Sequence, residues 1–92
     1  MEMAYLVKIE GRVTGVGFRY SAVEYASELE TLRGYIRNSG YGQVEALIQG
    51  SDEDTEMMLD WLGQGPVCAR VDDISVERVP VDPARRKFAI IR

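Results

Sequence analysis

The chain has 92 residues, with 15 acids against 11 lysines and arginines. That acidic balance argues against a sequence-independent nucleic-acid binder, whose affinity draws on a surplus of cations. A composition of 46 % hydrophobic and 28 % charged residues fits one soluble domain over 1–92 and leaves no apolar run long enough to span a membrane. With no histidine and one cysteine, Cys68, the chain lacks imidazole bases, histidine triads, internal disulfides and thiolate zinc clusters.

Met1-Glu2-Met3-Ala4 lacks the basic segment and apolar core of a secretory signal, so a cytoplasmic location is expected. Residues 4–10 alternate, with Tyr5, Val7 and Ile9 on one face and Lys8 and Glu10 on the other, the pattern of a half-buried strand. From Phe18 the period lengthens. Phe18, Ala22, Tyr25, Ala26 and Leu29 form one apolar stripe of a helix predicted to end near Thr31.

Residues 34–38 and 43–49 read as two strands joined by Ser39-Gly40-Tyr41-Gly42, a connection suited to a hairpin. Val44, Ala46 and Ile48 mark the buried face of the second. Ser51 followed by Asp54 is a weak capping box, and it opens a second helix. Met57, Met58, Trp61 and Leu62 are expected in the core, and Gly63-Gln64-Gly65-Pro66 stops the helix. Cys68 is expected to be a small buried apolar residue. A strand containing Ile74 and Val76 follows, then a turn at Pro80-Val81-Asp82-Pro83 and a last strand at Phe88-Ala89-Ile90-Ile91.

This order predicts an α+β, ferredoxin-like βαββαβ sandwich, with two helices on one face of a four- to five-stranded antiparallel sheet. Right-handed crossovers put the first strand in the middle, beside the strand that follows the second helix.

The segment between the first strand and the first helix is the most informative. Gly11, Gly15 and Gly17 free the backbone to turn successive N–H groups inward, and the helix start adds its unpaired donors and positive dipole end. Arg19 then offers a planar fork of donors to two oxygens of an anion. Phe18-Arg19 after the last glycine does not fit a nucleotide P-loop, and the dinucleotide fingerprint is absent. A plain tight turn with a solvated Arg19 is the competing reading. Arg12, Arg19, Arg33 and Arg37 flank this loop and the next strand, favouring a small anion, whereas Asp52-Glu53-Asp54 suits a helix N-terminus better than a magnesium site.

Gly34-Tyr35-Ile36-Arg37-Asn38, ending just before the hairpin, completes a second signature. With Gly11 to Arg19, and with Gly42, Val44, Gly50, Gly65-Pro66 and the final Phe88 to Arg92, the whole chain resembles the acylphosphatase family. The resemblance implies a cytosolic, metal-free and cofactor-free hydrolase that converts an acyl phosphate to a carboxylate and inorganic phosphate. It assigns phosphate binding to Arg12, Val13, Thr14, Gly15, Val16, Gly17, Phe18 and Arg19, and water positioning to Asn38. Thr14 and Tyr41 depart from it, standing where the family usually has glutamine and commonly has aspartate.

The chemistry suits these residues. A carboxylate leaving group needs little protonation, and phosphoryl transfer rests on positioning and charge stabilisation. An asparagine amide orients water without acting as a base, so the water's proton is expected to pass to a substrate oxygen. Tyr20 and Tyr41 either border the site and contact an aryl acyl group or are ordinary amphipathic surface. A monomer without nucleic-acid or membrane partners is expected. The alternatives are a non-catalytic phosphate or acyl-phosphate binding module on the same fold, and a ferredoxin-like RNA-binding domain, which the acidic balance disfavours.

Overall fold

The computed structural model describes residues 1–92. Its elements are β1 (Glu2–Arg12), α1 (Phe18–Ala26), β2 (Arg33–Gly40), β3 (Gln43–Ser51), α2 (Asp52–Gln64), β4 (Arg70–Arg78) and β5 (Phe88–Ile90). They form one sheet in the order β4-β1-β3-β2-β5, a ferredoxin-like α+β sandwich with β1 beside β4 as expected. The sheet is mixed rather than antiparallel, because β5 runs parallel to β2. The chain reaches β5 by crossing the whole sheet from the opposite edge.

Alternation builds the core. Val7 and Ile9 of β1, Ile36 of β2 and Val44, Ala46 and Ile48 of β3 are fully buried, and the register that sets Val7 opposite Ala46 and Ile9 opposite Val44 puts them on one face. Both helices cover that face, α1 over β5 and β2, α2 over β3, β1 and β4. From the helices, Phe18, Ala22 and Ala26 meet Met58 and Leu62. The Trp61 ring packs edge-on to Phe18 and stacks on Tyr25, with centroids 5.4 and 5.8 Å apart.

Three further sequence expectations need correction. The first helix stops at Ala26 instead of near Thr31: Glu28, Leu29 and Leu32 N–H groups bond three residues back, to Tyr25, Ala26 and Leu29. Such tighter turns still bury Leu29 and Leu32, so the apolar stripe outlasts the α-helix. Met57 lies exposed beside the buried Met58, since the helical period turns neighbouring residues about 100° apart. Cys68 is also exposed, in the short connection between α2 and β4, where no element covers it.

The other sheet face has no helix. Residues 79–87, which contain Pro80 and Pro83, cross it on the way to β5. The Gln49 side chain, fully buried on that face, bonds the Asp82 backbone at both N–H (2.9 Å) and C=O (2.8 Å), and the Arg85 guanidinium sits 4.9 Å from the Tyr35 ring centroid. This is why β3 is buried on both faces along residues 46–50.

Candidate active site

The loop from β1 to α1 is pinned from below and left open above. Val13 and Phe18 are 1 % exposed and Val16 packs against the core, so the loop is anchored near both ends and once between. Gly15 and Gly17 have φ of +72° and +75°, and a Cβ on either would meet nothing within 4 Å. Backbone conformation, rather than crowding, is what requires glycine there.

Gly17 is the N-cap of α1, and that helix start has no capping side chain and no acid in its first turn. α2 is the opposite case: the Ser51 hydroxyl accepts the Asp54 N–H, and Asp52, Glu53 and Asp54 occupy its first turn. The start of α2 thus has a side-chain cap and acids within the protein, whereas the start of α1 has neither. A depression of about 210 Å³ opens there, lined by Val13, Gly15, Gly17, Phe18, Arg19 and Tyr20. Arg19 is partly buried and takes part in none of the salt bridges.

The four arginines expected around the loop do not converge. Arg33 pairs with Glu2 and Arg37 with Glu45, both on the face away from the helices. Arg12 is exposed at the end of β1, in register with Arg70. Arg12, Thr14 and Val16 do not line the depression.

Asn38 lies two residues after the buried Ile36 and opposite the buried Val44, so the pleat puts it on the helix-facing side of β2. It is exposed, at the end of the sheet where the register shifts between Asn38 and Gly40. The Gly11 N–H donates to the Gly42 C=O at 3.1 Å, tying the end of β1 to the β2–β3 hairpin. The glycine loop, the start of α1 and Asn38 therefore share one end and one face of the sheet. In the row Asn38, Val44, Ile9, Asn38 stands two strand spacings, roughly 10 Å, from β1.

A cluster on the reverse face escaped sequence reasoning. Glu45 Oε2 accepts from the Tyr35 hydroxyl (2.7 Å) and from Arg37 Nε (3.2 Å), and Arg37 Nη2 reaches Oε1 at 3.4 Å. The Tyr35 hydrogen bond first, and then Arg37, hold the Glu45 carboxyl below the usual glutamate range. Burial first, and then Glu45, push the Tyr35 hydroxyl up. The available signal was the hairpin register, which sets Arg37 opposite Glu45.

Comparison with known proteins bears on the whole chain. The family model described as Acylphosphatase matches residues 5–90. An acylphosphatase of Colwellia psychrerythraea is 46 % identical over 80 residues, covering 87 % of this chain and 89 % of that one. One from Burkholderia lata is 47 % identical over 84 residues, covering 91 % and 85 %. The crystal structure of acylphosphatase from Bacillus subtilis superposes with a TM-score of 0.89 at 30 % identity, covering 98 % of this chain and 99 % of that one. Family model, relatives and solved structure each match over most of the chain, and the chain belongs to the acylphosphatase family of hydrolases.

Proposed function

We propose that the protein hydrolyses acyl phosphates without a metal, acting as a monomer, with the phosphoryl group held by Arg19 and the backbone of residues 12–18 and the attacking water held by Asn38. The observation that carries this reading is the open start of α1: two left-handed glycines, an uncapped helix N-terminus and an Arg19 without a carboxylate partner around one depression. Three phosphoryl oxygens need several convergent donors, and a preorganised backbone with one guanidinium supplies them. Asp52, Glu53 and Asp54 lie in the first turn of α2, and the reading assigns charge stabilisation to Arg19 and the loop donors.

In the proposed step the water oxygen bonds to phosphorus, and the bridging P–O bond breaks with its electron pair leaving on the carboxylate. One proton of the water stays on its oxygen and the other passes to a non-bridging phosphoryl oxygen, giving carboxylate and dihydrogen phosphate. Asn38 orients the water through its amide and takes no proton. Arg19 and the loop N–H groups act on the equatorial oxygens, where charge is spread in the transition state.

The test is hydrolysis of benzoyl phosphate in the presence of chelator, with Arg19→Ala and Asn38→Ala variants confirmed as folded. Wild-type turnover is expected to persist, and each variant to lose on the order of 10²–10³-fold in kcat/KM, as removal of one positioned donor does elsewhere. An inert wild type whose unfolding temperature still rises with inorganic phosphate points instead to a binding module. Full activity in either variant removes that residue from the mechanism.

A further inference from the structure

We propose that the Tyr35–Glu45–Arg37 cluster on the helix-free face is a positioning device for Asn38, fixing the water-holding side chain through the backbone of β2 without touching the substrate. The inference rests on the assignment of Asn38 as the water-positioning residue and names what that residue lacks by itself. The Asn38 side chain is exposed and makes no hydrogen bond of its own, and it is the last residue of β2 in regular register before Ser39 drops out of the pairing with β3. A residue at such a strand end frays unless the residues before it are held.

Those residues are held from behind. Side chains alternate across a strand, so Tyr35 and Arg37 point to the face opposite Ile36 and Asn38, and both grip the one carboxylate of Glu45 on β3. Arg37 and Glu45 are direct cross-strand partners, while Tyr35 reaches Glu45 diagonally from its own partner Leu47. The carboxylate thus spans the two outward-facing positions that precede Asn38 and resists a slide or twist of β2 against β3. The Glu45 side chain is 14 % exposed, so solvent screens these bonds less than those of a free surface pair.

The crossing segment closes the cluster from outside. Arg85 lies over the Tyr35 ring and ion-pairs with Asp82, whose backbone is fixed by the buried Gln49. Every link runs on the reverse face, and none reaches the glycine loop. The cluster is therefore expected to set the position of Asn38 and leave the anion cradle alone.

That separation makes the idea testable with Glu45→Ala and Tyr35→Phe, each alone and combined with Asn38→Ala. For benzoyl phosphate, Glu45→Ala is expected to lower kcat about 10–100-fold, the scale on which a misplaced catalytic group costs rate, with the competitive inhibition constant of inorganic phosphate within about twofold of wild type, as defined here by the intact cradle. Tyr35→Phe is expected to do the same to a smaller degree. Added to Asn38→Ala, neither variant should lower kcat further, because the residue they position is gone. Glu2→Gln, which breaks the Arg33 pair on the same face, serves as the control for general loosening and should leave kcat unchanged.

Additive losses in the Asn38→Ala background, a matching loss in phosphate affinity, or an equal kcat loss in Glu2→Gln would each overturn the positioning role. If Asn38→Ala itself keeps full activity, the underlying assignment of Asn38 fails, an outcome distinct from all three. Should Glu45→Ala fail to fold, Tyr35→Phe, which removes one hydroxyl, carries the same comparison.

Discussion

Gly17 has two duties at one position, since it ends the loop and caps α1 with its backbone in the left-handed region at φ 75°, ψ 18°. A Cβ there meets no atom, so the penalty for alanine is the local conformational one, about 1–2 kcal/mol. Gly17→Ala is accordingly expected to lose about that much stability in urea denaturation, and Gly17→Asn less, because asparagine visits this region more readily. If alanine proves neutral, the loop relaxes out of this conformation and the preorganised cradle is wrong. Arg19 and the glycines were legible in the sequence because glycine spacing and a following arginine are local features. The separate fates of Arg12, Arg33 and Arg37 were not, since each depends on which strand and which acid lies alongside.

The two helix starts are finished differently: α1 has no capping side chain, and α2 has one. α2 opens on Ser51, Asp52, Glu53 and Asp54, but the Ser51–Asp54 pair is only half of the reciprocal box that its sequence suggests. The Ser51 hydroxyl does accept the Asp54 N–H. The Asp54 carboxylate turns away to accept the Thr31 N–H at 2.9 Å and its hydroxyl, and the Ser51 N–H donates to Thr31 Oγ1. A local capping signal has become a tie between α2 and the turns that follow α1. Asp54→Ala is expected to cost about 1–2 kcal/mol, the worth of a hydrogen bond to a charged group reduced for its exposure, and Thr31→Val a similar amount. The double variant in chemical denaturation should fall short of the sum by the worth of the one bond that both changes remove, from the Thr31 hydroxyl to the Asp54 carboxylate; strict additivity would mean that this bond contributes nothing.

Across the molecule, the helix-free face is expected to carry acid sensitivity. The Arg33 hydrogen bond first holds the Glu2 carboxyl below its ordinary range, and the Tyr35 hydrogen bond first does the same for Glu45. A carboxyl that binds protons less readily when folded adds stability above its unfolded pKa and loses it as pH falls through the depressed folded value. Unfolding midpoints in urea are therefore expected to drop as pH falls below roughly 4.3, the usual glutamate value, and Glu45→Gln should flatten that decline while lowering the midpoint at neutral pH. An unchanged acid limb in Glu45→Gln would place the sensitivity elsewhere.

The sequence by itself determined the order and kind of the elements, the buried faces of β1 and β3, the glycine loop with Arg19, and the place of Asn38 before the hairpin. Hydrophobic period, glycine and proline positions and helix-start residues are written within a few neighbours of where they act. Only the tertiary structure decided that β5 joins β2 in parallel, that α1 gives way to tighter turns at Ala26, that Cys68 and Met57 face solvent, and that Glu45 holds Tyr35 and Arg37 behind Asn38. The place of β5 is settled between segments far apart in the chain. The others turn on which neighbour covers a side chain or which group reaches a carboxylate, so the competition for a sheet edge, a carboxylate or a buried site has a winner only once every element is in place.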